Sequence, residues 1–211
     1  MKPQRPTETQ KSEARENAIY WAQTVIHNST NVLYLDTETD GVLDENGEGD
    51  AEILQIAIVT PTGRTLFNSM VKPAKPIEQC LESDAYQIHG IGAMELMHAP
   101  SFHEIAPLVA NILYGKRVVI YNKAFDDAML RREFDRTGIE LPDYSAECAM
   151  IAYAMYKGVW NSKFGNWKWP KLPLANVSLT SHDAAVDCLS TIAVVEKMAQ
   201  VADIKEISLD F

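Results

Sequence analysis

Basic residues are scarce in this chain. Lysine and arginine total 19 against 29 aspartates and glutamates, which sets the formal net charge at −10 and the pI near 4.9. Such a chain has no general field to attract a polyanion, so a nucleic-acid substrate would have to be held by bound cations and local basic patches. Cysteine is scarce too. Cys80, Cys148 and Cys188 lie far apart, are odd in number and form no C-x-x-C pair, which speaks against a disulfide framework or a structural zinc site and fits a reducing compartment. No apolar run approaches the ~20 residues of a membrane span. The opening Met1-Lys2-Pro3-Gln4-Arg5-Pro6 has no apolar segment of the signal-peptide kind. Internal repeats and low-complexity tracts are missing. The expectation is a soluble cytoplasmic protein without membrane contact.

The 211 residues, 46% hydrophobic, suit one domain with a full core and an added terminal element. Residues 1–10, polar and proline-containing, read as disordered. Ala14, Ala18, Trp21, Ala22 and Val25 fall three or four apart and predict a helix from Ser12 to His27. The apolar Val32-Leu33-Tyr34-Leu35 predicts a buried strand. Glu52–Thr60 and Arg64–Val71 flank the turn Pro61-Thr62-Gly63 as an antiparallel hairpin. Helices are expected over Glu78–Tyr86, Ala93–Met97, Ser101–Tyr114 with Ser101 as N-cap, Ala124–Thr137 before Gly138, Ala149–Tyr156 and Asp183–Val201. Further strands are expected over Lys116–Tyr121 and Tyr144–Cys148, and Gly158–Ser178 reads as irregular. A hairpin followed by strand–helix units predicts an α/β fold, a mixed sheet with helices on both faces.

The first strand runs into Asp36-Thr37-Glu38-Thr39-Asp40. Strand side chains alternate, so Asp36 and Glu38 point to one side. Two like charges side by side need a partner or shifted pKa values, and the natural partner for hard oxygen ligands is magnesium or manganese. Taken alone, a D-x-E of this kind also reads as a solvated strand end. Asp126 lies in the first turn of the helix after the fourth strand, Asp187 lies in the last helix, and His182 precedes it by five residues. Asp126 and Asp183 also read as first-turn aspartates favoured by the helix dipole, and His182 as a cap or surface histidine. The loop Asp44-Glu45-Asn46-Gly47-Glu48-Gly49 superficially suggests a calcium loop, but its twelfth position is Gln55 and a strand precedes it, so that reading is rejected.

In combination these stretches resemble the DEDDh exonucleases, the group that includes the proofreading exonuclease subunit of bacterial replicative polymerase. Asp36-Thr37-Glu38-Thr39-Asp40-Gly41 resembles the family's D-T-E-T-T-G. Asn122-Lys123-Ala124-Phe125-Asp126 resembles its N-x-x-F-D run, and His182 to Asp187 its H-x-x-x-x-D. His89-Gly90-Ile91, with Pro100-Ser101-Phe102 following, resembles its H-G-I element. The matches come in order from Val32 to about Met198. The departure is Tyr153–Pro173, where many relatives carry a leucine-rich helix and this chain has Trp160, Trp167 and Trp169 among Lys157, Lys163, Lys168 and Lys171.

The resemblance implies a ribonuclease H-like mixed five-stranded sheet flanked by helices, with an added N-terminal helix. It implies a tail and helix over 1–30, an exonuclease domain over 31–203 and a tail over 204–211. It implies a metal-dependent 3′–5′ exonuclease on DNA, on single-stranded or frayed ends, releasing nucleoside 5′-monophosphates. Two ions, Mg²⁺ or Mn²⁺, would be held by Asp36, Glu38, Asp126 and Asp187, with Asp36 bridging and His182 as general base. Motif register selects Asp126 and Asp187 over their neighbours Asp127 and Asp183. The backbone of Thr39, Asp40 and Gly41 would underlie the terminal nucleotide, with Val42 or Leu43 wedged between bases. His89, Ile91 and Phe125 would line the base and sugar pocket, and Asn122 would sit near the phosphate. For Ile91 and Phe125 ordinary core packing stands beside that role, and for Asn122 helix capping. The tryptophan–lysine stretch reads either as a strand-guiding surface or as buried aromatics with solvated lysines. The expected partner is the 3′ end of a nucleic acid, DNA ahead of RNA, with the chain a monomer or homodimer; a polymerase partner has no docking tail to support it. The alternatives are a 3′–5′ exoribonuclease of the oligoribonuclease or ribonuclease T type, and a non-catalytic nucleic-acid-binding module.

Overall fold

The computed structural model describes residues 4–44, 48–174 and 182–206, with side chains up to 199. The elements in chain order are α1 (Glu8–His27), β1 (Val32–Thr39), β2 (Ile53–Val59), β3 (Thr65–Met70), α2 (Ile77–Leu81), α3 (Tyr86–His89), α4 (Ala93–Met97), α5 (Phe102–Leu113), β4 (Arg117–Ile120), α6 (Lys123–Thr137), β5 (Ser145–Cys148), α7 (Ala149–Lys157), β6 (Trp160–Asn161), β7 (Asn166–Trp167) and α8 (Ala184–Glu206). One five-stranded sheet has the order β3-β2-β1-β4-β5. β2 pairs antiparallel with β1 and β3, while β4 is parallel to β1 and β5.

Alternation along β1 divides the core. Val32 and Tyr34 join the layer beneath α1, α7 and α8, which contains Ala18, Ala22, Met150, Tyr153, Cys188 and Val195. Leu33 and Leu35 join the opposite layer with Phe102, Val109, Leu130 and Phe134 from α5 and α6. Helices thus cover both faces, and the mixed sheet expected from the strand pattern is present.

Local structure departs from expectation where polar side chains act on the backbone. α1 begins at Glu8 because Thr7 and Gln10 form a capping box, each side chain accepting the other's backbone N–H. Residues 8–10, read as disordered, are therefore helical. Glu78–Tyr86 is two short helices with Ser83 between them, its hydroxyl donating to the Cys80 carbonyl at 2.7 Å. The stretch read as irregular from Gly158 holds the β6–β7 hairpin, with Trp160 and Trp167 edge to face at 5.3 Å between ring centroids. The last helix passes Val201 and runs to Glu206. The expected tail lies partly in this helix, and residues 207–211 and 175–178 lie outside the described residues.

α1 contributes to the core instead of standing apart from it. Trp21 Nε1 donates to Glu147 at 2.5 Å, and Arg117 gives that carboxylate two further hydrogen bonds at 2.6 and 2.8 Å. No described helix is long and apolar enough to cross a membrane.

Candidate active site

β1 is longer than its parallel neighbour. Its pairing with β4 covers Val32, Leu33 and Tyr34; beyond that, β4 turns away into α6, while β1 continues to Thr39 along β2. This is the sheet edge at which parallel strands end and sites of α/β folds gather. Even-numbered side chains of β1 face α8, so Asp36 and Glu38 follow Tyr34 toward Asp187. Odd-numbered ones face α6, so Thr37 follows Leu35 toward Asp126. Asp126 accepts from Thr37 N at 3.1 Å and Thr37 Oγ1 at 2.8 Å. Thr37 thereby ties the two motifs together, a part its sequence position does not reveal.

His182 and Asp187 enter from the start of α8. Ligand atoms of Glu38, His182 and Asp187 lie within 4.8 Å of one another. Among the described residues, His182 is the non-glycine residue with positive φ, 65°, a left-handed conformation that costs energy and is kept where the surroundings impose it. The surroundings here are Asp183 and Gln55. Asp183 caps the helix, accepting from Ala185 N at 3.0 Å and Val186 N at 3.2 Å. Gln55, buried on β2, donates to Asp183 Oδ2 at 3.2 Å and accepts from Ala184 N at 3.2 Å. The first N–H groups of α8 are thus satisfied, and the chain just before them is fixed. Gln55 carries no motif and is legible only once β2 and α8 are seen together.

The four carboxylates are strongly perturbed. Burial, followed by repulsion from Asp126, Asp187, Glu38 and Asp183, pushes Asp36 well above the usual carboxylate range. Burial, followed by repulsion from Asp187, Asp126 and Asp183, lifts Glu38 to about 8. Burial raises Asp126 to about 7 against the lowering effect of the Thr37 hydrogen bonds. Asp187 is raised by burial, partly offset by His182. Among the described residues, no lysine or arginine forms an ion pair with any of the four. Buried like charges without a cation from the protein fit a divalent metal, which holds such groups ionised. The neighbouring aspartates are engaged elsewhere: Asp127 accepts from Tyr144 Oη at 2.5 Å and Arg131 Nε at 2.9 Å.

A cleft of about 690 Å³ opens over the cluster, lined by Asp36, Glu38, Asn122, Phe125, Asp126 and Lys171, with His182 and Asp187. The other residues singled out in the sequence are more dispersed. Thr39 is buried, its hydroxyl donating to Gly41 O at 2.7 Å. The Asp40 carboxylate is committed to Lys75 at 2.6 Å and to Glu52 N at 2.7 Å. Val42 is 76% exposed. Leu43 packs on the α5–α6 layer. His89 accepts from Ile91 N at 3.0 Å, and its Nε2 is buried without a partner among the described residues. Ile91 sits in a small core cluster with Leu54, Cys80 and Leu96. The side chain of Asn122 makes no capping hydrogen bond to α6.

Residues 33–195 match the family model RNase_T, described as exonuclease. The chain belongs to this exonuclease family, in its DEDDh branch. An exonuclease of Escherichia phage 186, CP81, is 33% identical over 181 residues, 80% of this chain and 88% of that protein. The epsilon subunit of DNA polymerase III from Escherichia coli K12 is 29% identical over 169 residues, 75% of this chain and 67% of the subunit. The nuclease domain of 3′hExo, a DEDDh family member solved with rAMP, shares the fold at a TM-score of 0.54, with 15% identity over 81% of this chain and 92% of that domain. The chain is thus a 3′–5′ exonuclease with the ribonuclease H-like sheet that its motif order implied, and its cluster of Glu38, His182 and Asp187 suits the divalent metal on which this family depends.

Proposed function

We propose that this exonuclease hydrolyses DNA from its 3′ end, on single-stranded or frayed termini, and releases nucleoside 5′-monophosphates. The observation carrying the proposal is the convergence of Asp36, Glu38, Asp126 and Asp187 on one sheet edge, with His182 beside Glu38 and Asp187 under an open cleft. Asp36, Glu38, Asp126 and Asp187 would hold two divalent ions, Mg²⁺ or Mn²⁺. When bound, such ions activate water and stabilise the leaving oxygen.

The chain's own residues supply the rest. His182, held at the mouth of α8 by the Asp183 cap and Gln55, accepts the proton of the attacking water. The water oxygen bonds to phosphorus, the bond from phosphorus to the 3′ oxygen breaks, and that oxygen takes a proton from solvent. Thr37 holds the Asp126 carboxylate in place. Asn122 and Phe125, both on the cleft wall, border the scissile phosphate and the terminal sugar. The backbone of Thr39, Asp40 and Gly41 underlies the last nucleotide, and the exposed Val42 beside Leu43 wedges against its base. His89 lines the base and sugar pocket, its proton on Nε2 because Nδ1 accepts the Ile91 N–H, while Ile91 packs in the core with Leu54, Cys80 and Leu96.

The test is degradation of 3′-labelled and 5′-labelled single-stranded DNA and RNA of one sequence, with magnesium, manganese or chelator, beside Asp36→Ala. Stepwise metal-dependent loss from the 3′ end of DNA, absent in Asp36→Ala, is expected. Faster loss from RNA would replace DNA as the substrate. No cleavage of either would make the chain a binding module.

A further inference from the structure

A second groove, about 580 Å³, shares Asn122 and Phe125 with the carboxylate cleft and continues to Leu43, Cys148, Ile151 and Trp169. Its walls leave two large apolar side chains in water: Trp169 is 60% exposed and Ile151 49%. An exposed tryptophan is common on a mobile loop, but the backbone here is pinned on both sides. Lys168 N donates to Val159 O at 2.8 Å, and Tyr121 Oη donates to Pro170 O at 2.8 Å. Leu172 then packs on the α8 layer, and Lys171 and Leu172 line the carboxylate cleft itself. One strip of chain therefore joins the two grooves and presents the Trp169 ring from a fixed position.

The charge around this strip runs against the rest of the molecule. Lys123 lines the groove, and Lys168 and Lys171 flank Trp169 in sequence. None of the three forms an ion pair among the described residues. The carboxylate on the groove wall, Asp44, accepts a hydrogen bond from Glu48 N at 2.8 Å. In a chain of net charge −10, cations beside an exposed aromatic ring match a single nucleic-acid strand. The lysines meet phosphates, and the ring stacks on an unpaired base regardless of sequence.

We propose that this groove binds the nucleotides upstream of the scissile one, with Trp169 as the stacking platform for an unpaired base. The proposal rests on the exonuclease reading above and adds strand length as a determinant of affinity. A duplex cannot use the ring, because its bases are already stacked on one another.

The experiment compares the parent chain with Trp169→Ala and Trp169→Phe. One substrate is a 12-nucleotide single-stranded DNA; the other is the p-nitrophenyl ester of thymidine 5′-monophosphate, which has no upstream base and reports the carboxylate cleft alone. Binding of the 12-mer is also followed by fluorescence anisotropy, with calcium replacing magnesium. Trp169→Ala is expected to weaken 12-mer binding about 5–150-fold. It should raise the KM of the 12-mer in step, so that selectivity for the 12-mer over the ester is lost, and Trp169→Phe should restore most of it. Unchanged 12-mer affinity in Trp169→Ala, or an equal fall on both substrates, overturns the proposal. Dimerisation lost in Trp169→Ala with oligonucleotide affinity intact also overturns it, by assigning the groove to a second copy. If the parent hydrolyses neither substrate, the exonuclease reading fails by itself, and the anisotropy comparison still decides the groove.

Discussion

Removing metal from this protein should make its stability fall as pH rises, a direction set by the buried carboxylates. Glu38 is 8% exposed, and burial with the fields of Asp187, Asp126 and Asp183 lifts it from 4.5 to about 8. In the unfolded chain the same group ionises near its ordinary value. The folded state therefore holds a proton that the unfolded state has lost. The resulting stabilisation is complete below about pH 4.5 and disappears as pH passes through about 8. A shift of this size corresponds to about 3–5 kcal/mol, allowing for the repulsion it shares with its neighbours. His89, lowered mainly by burial, acts in the opposite sense at the lower end of the window, since a depressed histidine favours folding as pH rises. Urea unfolding with excess chelator at pH 5.5, 7 and 8.5, followed by tryptophan fluorescence, separates the two. The parent should lose stability across the series, and saturating magnesium or manganese should restore it at pH 8.5. Glu38→Gln should flatten the profile and exceed the parent at pH 8.5 without metal. Chelated parent as stable at pH 8.5 as at 5.5, or Glu38→Gln with the parent's slope, would refute the reasoning.

The remaining predictions concern single side chains. Asp126→Asn should abolish hydrolysis, whereas Asp127→Asn should retain it and lose about 1–3 kcal/mol, because its single carbonyl oxygen replaces only one of the two acceptors used by Tyr144 and Arg131; the two variants compared by activity and thermal melting decide the register. His182→Ala should lower kcat about 10²–10⁴-fold with oligonucleotide affinity kept; a fall in affinity alone would remove it from proton transfer. Gln55→Leu should lower kcat more than it changes KM and cost about 1–3 kcal/mol, because Asp183 and the Ala184 N–H lose a buried partner; steady-state kinetics beside urea melts would show both effects. Glu147→Ala should destabilise the fold by about 2–4 kcal/mol by stranding Trp21 and the Arg117 guanidinium; an unchanged melting temperature would mean that α1 is not anchored through this contact.

Much of the site was legible in one dimension because its signals are local. The two-residue period of a strand places Asp36 and Glu38 on one side whatever the rest of the chain does. The order of the D-x-E, N-x-x-F-D and H-x-x-x-x-D runs identifies the family before any contact is known. The apolar runs likewise located β1, β2 and β4, since burial on both faces demands them. Signals carried by polar side chains were harder to read: the Thr7–Gln10 box starts α1 four residues before its apolar stripe suggests, and Ser83 divides one expected helix into two.

Tertiary structure alone decided what depends on a partner distant in sequence. Motif register singles out Asp126 over Asp127, but only the packing gives the physical reason: Thr37 from β1 meets the first, while Tyr144 and Arg131 take the second. Asp183 became a helix cap because Gln55, 128 positions away, holds its other oxygen. The pKa values rose because four carboxylates from β1, α6 and α8 converge in a buried space, a property of no single segment. Trp169 stands in water on a backbone pinned on either side, through Lys168 to Val159 and through Pro170 to Tyr121. Period and motif order belong to the chain by itself, whereas burial, ion pairing and hydrogen-bond partners arise only when segments far apart are packed together.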